Sequence, residues 1–72
     1  MNEKENSKEP IISIGEKYLL TIKEAGAYFN IGVKKMRRLA EDNLGSFSIY
    51  SGNRYLVIRP KFEEYLCQTS TI

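Results

Sequence analysis

The chain has 72 residues, which is room for one domain, and its formal net charge at pH 7 is +2. With Cys67 as its single cysteine and no histidine, the sequence offers no basis for a disulfide framework or a structural zinc site. No apolar run approaches the roughly 18 residues that a membrane span needs, and the polar start MNEKENSKEP does not fit a secretory signal. We therefore expect a soluble, cytoplasmic protein.

The positive charge is concentrated in the middle of the chain. Residues 33–61 hold seven basic side chains against two acidic ones, a balance of +5, whereas the rest of the chain has a balance of −3. Such asymmetry points toward a polyanionic partner. On charge alone, a basic surface that only contacts water is an equal alternative.

The limits of the folded part follow from composition. Residues 1–10 are rich in charged and polar side chains and end at Pro10, which predicts a disordered tail. The domain is expected over 11–68, and 69–72 are expected to fray. Near the start of the domain, IISIG (11–15) fits either a short strand or a segment packed on the domain, and KYLL (17–20) has the composition of a strand.

The next segment predicts two helices joined by a short turn. Thr21 and Glu24 have the spacing of a capping box, and the following IKEAGAYF has one apolar helical face. Asn30 tolerates the left-handed conformation that ends a helix, and Gly32 can cap the next one. Gly26 inside the first helix predicts a close approach to the second. Together these features indicate a helix-turn-helix.

The second helix, GVKKMRRLAED, is expected to run from about 33 to 41. Val33, Met36 and Ala40 recur at helical spacing and predict its buried face, with Leu39 beside them. The basic residues lie on the rest of the helix surface: Lys34, Lys35 and Arg38 on the opposite side, and Arg37 at the flank.

A hairpin and a last helix complete the chain. FSIY and RYLVI are separated by SGN, in which Gly52 and Asn53 both accept the positive φ of a tight turn. Pro60 suits the first helical position of a helix in RPKFEEYL, where Phe62 and Leu66 form an apolar pair. The order of short strand, two helices, two-stranded wing and C-terminal helix predicts an α+β fold, a small winged helix-turn-helix domain.

This arrangement predicts binding to double-stranded DNA. The second helix of a helix-turn-helix lies in the major groove with its N-terminal residues nearest the base edges. There Lys34, Lys35 and Arg38 can pair with guanine or hold phosphates, and Arg37 is expected to contact a phosphate. The wing tip is expected to contact the minor groove or the backbone through Ser51, Gly52, Asn53 and Arg54. The alternative is an ordinary surface helix with one basic side.

The sequence does not indicate catalysis. Cys67 has no histidine to activate it and is expected to be a partly buried, inert thiol. No glycine-rich loop that could hold a phosphate is present, and the chain is too short to enclose an active site. We expect no catalytic residue, no metal and no cofactor.

Two stretches, LTIKEAGAYFNIGVKKMRRLAEDN and SGNRYLVIRPKFEEYL, resemble the small excisionases of conjugative transposons. These belong to a wider group of excisionase and MerR-like winged-helix domains. The resemblance covers about 16–66, and its most specific pieces are LTIKEA, the IG-KK-RRLAE pattern and GNR at the wing. Gly26 differs from the alanine that is frequent in the wider group.

The resemblance implies a recombination directionality factor, which is not an enzyme. Such proteins bind near the ends of an integrated mobile element, often cooperatively, and bend the DNA so that a tyrosine-type integrase can assemble an excision complex. It also implies that Lys34, Lys35 and Arg38 contact the major groove and that residues 51–54 form the wing contacts. The integrase partner rests on the resemblance alone. A small transcriptional regulator with the same fold, or a protein-interaction module, are the alternatives.

Overall fold

The computed structural model describes residues 14–72. The expected tail, 1–10, and residues 11–13 at the expected start of the domain lie outside the described residues. A 3-10 turn spans Ile14–Glu16. The end of the IISIG segment is therefore a helical turn and not a strand.

Three helices and three strands follow the turn, an α+β arrangement consistent with a small winged-helix fold. In chain order they are β1 (Leu19–Thr21), α1 (Ile22–Phe29), α2 (Val33–Asp42), β2 (Ser48–Ser51), β3 (Arg54–Ile58) and α3 (Arg59–Cys67).

The strands form one antiparallel sheet in the order β1-β3-β2. Val57, in the central strand, lies opposite Leu20 on one side and Ser48 on the other. The short strand expected at 17–20 is observed at Leu19–Thr21 and is the third strand of the wing sheet. The wing is therefore anchored to the start of the helix-turn-helix through backbone pairing.

The predicted capping box begins α1. The Thr21 hydroxyl accepts from the Glu24 N–H at 3.1 Å, and a Glu24 carboxylate oxygen accepts from the Thr21 N–H at 3.0 Å. The second carboxylate oxygen pairs with the Lys17 ammonium at 2.7 Å. The bond from Lys17, followed by the bond from the Thr21 N–H, holds the pKa of Glu24 below its usual value. These contacts connect the first turn of α1 to the segment before β1.

The turn between α1 and α2 packs tightly against Gly26. Asn30 has the left-handed φ of 59° that ends α1, and the Ile31 N–H donates to the Gly26 carbonyl at 2.8 Å. A Cβ on Gly26 would lie 2.8 Å from the Ile31 carbonyl oxygen and 3.7 Å from Val33 Cγ2. The close approach predicted from this glycine is confirmed, but its tightest contact is with the backbone of the turn.

The core lies between the helices and the inner face of the sheet. Its centre includes an aromatic cluster in which the Phe62 ring of α3 meets Phe29 and Phe47, each at a centroid distance of 4.7 Å. α3 is thereby held against α1 and against Phe47, which immediately precedes β2. The buried apolar residues are Leu20, Ile22, Ala25, Met36, Ala40, Phe47, Val57 and Phe62.

Ser48 joins the wing to the end of α2. It is fully buried, and its hydroxyl donates to the Ala40 carbonyl at 2.6 Å. Phe47 and Ser48 are adjacent in the chain and both buried, and the strand starts at Ser48. The hydrogen bond explains how a polar residue occupies this place, because a buried hydroxyl needs a partner.

Candidate nucleic-acid interface

The second helix separates its apolar and basic residues onto different faces. Met36 and Ala40 are fully buried, whereas all four basic side chains of α2 are exposed. Three of them line one open hollow on the surface: Lys34, Lys35 and Arg38. Arg37 is exposed outside this hollow. The structure therefore brings together the three residues expected at the major groove and places the expected phosphate contact beside them.

The basic face of α2 is free of ion pairs within residues 14–72. The two ion pairs of this part of the chain are Lys17–Glu24 and Arg59–Glu63. The Lys35 ammonium donates to a backbone oxygen of Ile72 at 3.0 Å. The positive charge of α2 therefore remains available to an anionic partner.

The wing ends in the tight turn that the sequence predicts. Gly52 and Asn53 have positive φ values of 61° and 68°, and Ser51 pairs with Arg54 across the hairpin. All four residues are exposed, and apart from Gly52 and its two chain neighbours no residue has an atom within 4 Å of where a Cβ on Gly52 would be. The backbone of the tip is therefore open to close approach by a ligand.

A pair of tyrosines supports this tip. Tyr50 and Tyr55 lie opposite each other in the register of β2 and β3, and their rings meet edge to face at 4.9 Å. Cross-strand aromatic pairs stabilise a hairpin. Tyr50 is 56% exposed, so an aromatic surface adjoins the polar tip.

Val33 does not lie where the helical pattern placed it. It was expected on the buried face, but 48% of its surface is exposed. Val33 is the first residue of α2, and the neighbouring position on α1 is Gly26, which has no side chain to cover it. The signal that could have revealed this is the glycine opposite, because a core position needs side chains around it. Val33 is thus a half-exposed residue at the contact between α1 and α2.

The structure also shows one basic residue engaged within the fold and corrects one further expectation. Arg59, counted in the central basic region, donates through Nε to the Lys17 carbonyl at 2.7 Å and pairs with Glu63 at 3.0 Å, so it stabilises the fold. Cys67 was expected to be partly buried and is exposed at the end of α3.

Within residues 14–72, no three histidine, cysteine or acidic side chains come together as a metal-binding group. No helix among these residues has both the length and the apolar character needed to cross a membrane.

Comparison with known proteins agrees with the sequence motifs. All of the chain, residues 1–72, matches the family model described as excisionase from transposon Tn916. A curated relative from Streptococcus agalactiae serotype V, named excisionase from transposon Tn916, is 47% identical over 60 residues. That match covers 82% of this chain and 90% of the relative. The chain belongs to the Tn916 excisionase family.

Proposed function

We propose that this protein is a sequence-specific DNA-binding and DNA-bending excisionase, an accessory factor without catalytic activity. In this function it assists a tyrosine-type integrase in excising a mobile element. The observation that carries the proposal is the basic face of α2, which is exposed and free of ion pairs within residues 14–72. Membership in the Tn916 excisionase family supports the biological role.

In this proposal, α2 enters the major groove. Lys34 and Arg38 share one hollow on the side of α2 away from Met36, so both can reach base edges or phosphates. Lys35 lines the same hollow and would exchange its bond to the backbone oxygen of Ile72 for a DNA contact. Arg37 would contact a phosphate at the flank.

The wing supplies a second contact with the duplex. Arg54 would place its guanidinium in the neighbouring minor groove or against a phosphate. Ser51 and Asn53 offer polar side chains at the same tip, and the open backbone of Gly52 can donate its N–H to a phosphate oxygen. A protein that holds the duplex through both a helix and a wing can stabilise a bent form by making contacts that straight DNA does not allow.

Cooperative binding follows from the small number of contacts. Five exposed basic residues on α2 and the wing would neutralise few phosphates, so one copy would bind weakly at physiological salt. Self-association on adjacent sites near the ends of the element would raise the affinity. The integrase partner is inferred from the family.

The first test is fluorescence anisotropy with duplexes from the ends of the mobile element and with scrambled duplexes, over a salt series. Wild-type protein should prefer the end duplexes, and its binding should weaken steeply with salt. Each phosphate contact contributes about −0.9 to the slope of log K against log salt. Arg54→Ala should therefore reduce the slope by about 0.9 if Arg54 holds a phosphate. Arg38→Ala should weaken the preference for the end duplexes if Arg38 reads a base.

Lys61→Ala is the matched control for charge. Lys61 is exposed on α3, where it lies beside Ser46 and Tyr65, and it does not line the hollow of α2. Its removal should leave both slope and preference nearly unchanged. If Lys61→Ala and Arg38→Ala lost DNA affinity equally, binding would depend only on the net charge of the protein. Absence of binding at low salt would refute DNA binding. Binding without preference for the end duplexes would favour a regulator of other sites.

A further inference from the structure

An exposed tyrosine lies beside the wing tip, on the face of the sheet that packs against the helices. Alternate residues of a strand point to the same face of a sheet. Tyr50 therefore shares a face with Ser48, two residues earlier in β2. Its cross-strand partner Tyr55 shares that face with Val57 of β3. Because Ser48 and Val57 are fully buried, the two tyrosines continue the inner face of the sheet from the core toward the wing tip.

The basic side of α2 is turned to the same side of the sheet. α2 packs against β2 and β3, and its Met36 and Ala40 join Val57 in one buried cluster. The basic residues lie on the side of α2 away from this contact, so they and the inner face beyond the helix point to the same side of the sheet. Along β2, Tyr50 lies between Ser48, which binds α2, and the wing tip.

The ring of Tyr50 is supported, while its hydroxyl is free to bind a ligand. The ring meets Tyr55 edge to face at 4.9 Å, and Tyr55 packs against the core. Among residues 14–72, no group forms a hydrogen bond with the Tyr50 hydroxyl, whereas the Tyr28 hydroxyl donates to Glu63 at 3.4 Å. Tyr50 therefore offers an uncharged donor on a supported ring, which can bind an anion with little loss of conformational freedom.

We infer that Tyr50 binds the sugar-phosphate strand that separates the major groove at α2 from the minor groove at the wing, with its hydroxyl donating to one phosphate. The inference rests on the proposed binding of DNA through α2 and the wing. One backbone strand lies between two neighbouring grooves, so a protein that enters both must lie across that strand. The part of this protein between the two contacts is the inner face of the wing. A phosphate contact from Tyr50 fixes the position of the duplex and reads no base.

Tyr50→Phe tests the hydroxyl alone, because it keeps the ring and its contact with Tyr55. In the anisotropy assay it should weaken binding to end and scrambled duplexes equally, by about 10-fold, the low end of the loss for a hydrogen bond to a charged group. The slope of log K against log salt should not change, since an uncharged donor releases no counterion. Arg54→Ala, by contrast, should reduce that slope. Thermal melts of Tyr50→Phe should match those of wild type.

A scan with methylphosphonates locates the partner of the hydroxyl. Each phosphate of an end duplex is replaced in turn by an uncharged methylphosphonate. At one phosphate, the loss of affinity should be smaller for Tyr50→Phe than for wild type, and at the other phosphates the two losses should be equal.

Tyr18→Phe is the matched control. Tyr18 has a similar exposed fraction, 58%, and precedes β1, whose first residue, Leu19, pairs with Ile58 at the end of β3 away from the wing tip. Removal of the Tyr18 hydroxyl should leave the affinity, the salt slope and the response to every methylphosphonate as in wild type.

The outcomes separate this inference from the proposed function. A loss in Tyr50→Phe that has the same factor at every salt concentration and is coupled to one phosphate supports the inference. Wild-type affinity in Tyr50→Phe overturns it while leaving DNA binding intact. A loss without coupling to any phosphate, or an equal loss in Tyr18→Phe, also overturns it. Absence of wild-type binding at low salt refutes the proposed function, and the inference fails with it.

Discussion

Replacing Gly26 by alanine sets two physical effects against each other. Alanine in the interior of a helix is favoured over glycine by about 1 kcal/mol. At Gly26, however, the added Cβ would lie 2.8 Å from the Ile31 carbonyl oxygen. This contact is with backbone, and the Ile31 N–H is already bound to the Gly26 carbonyl at 2.8 Å, so the turn has little room to move.

Overpacking of this kind destabilises by about 1–3 kcal/mol, which exceeds the helical gain. We expect Gly26→Ala to lower the free energy of unfolding by about 1 kcal/mol and the melting temperature by about 4–8 °C. Urea titration at constant temperature and thermal melts followed by circular dichroism would measure both. An unchanged m-value would show that the effect belongs to the folded state.

Ala27→Gly provides the reciprocal control in the same helix. Ala27 is exposed, so its replacement removes helical preference without relieving a contact, and we expect a loss of about 0.5–1 kcal/mol. If Gly26→Ala instead stabilised the protein by an amount similar to the loss in Ala27→Gly, helix propensity alone would govern both positions. The steric argument for Gly26 would then be refuted.

Met36→Ala should lower the free energy of unfolding by about 2–5 kcal/mol, because Met36 is fully buried; a loss below about 1 kcal/mol in urea titration would contradict its place in the core. Ser48→Ala should lower it by about 1–2 kcal/mol, since the Ala40 carbonyl loses its hydroxyl donor; unchanged stability would mean that this hydrogen bond contributes nothing net. Glu24→Gln should destabilise the fold at neutral pH. Because the folded-state pKa of Glu24 is lowered, its contribution is complete above the unfolded-state pKa and disappears as the pH falls through the folded-state value. The stability difference from wild type should therefore shrink as the pH falls below about 4.3, the ordinary value for a glutamate, and a difference that stays constant with pH would exclude an ionised Glu24 as its source.

The order of elements could be predicted because most of its signals are local. The capping box joins residues three positions apart, and the left-handed conformations of Asn30, Gly52 and Asn53 depend on the residue types themselves. The spacing of Met36 among basic residues likewise predicted which side of α2 is buried. These local features locate the helix-turn-helix and the wing in the sequence without knowledge of any long-range contact.

The candidate interface depended more on packing. All four basic residues of α2 were predicted to be exposed, and they are, but the assembly of three of them into one hollow needs the structure. Val33 satisfied the same helical pattern as Met36 and was wrongly expected inside. Periodicity gives the direction of a side chain from the helix axis, and it does not show whether a neighbouring element reaches far enough to cover that side chain.

The sequence by itself thus determined where the helices start and stop, the turn of the wing and the basic character of α2, because each depends on residues within a few positions of one another. Tertiary structure decided the roles of residues whose partners are distant in the chain. Arg59 donates to the carbonyl of Lys17, a residue 42 positions earlier in the sequence, and is therefore engaged within the fold. Arg54 carries the same charge but lies exposed at the wing tip. Only the folded chain distinguishes these two arginines, because the difference between them is the set of acceptors that the fold brings within reach.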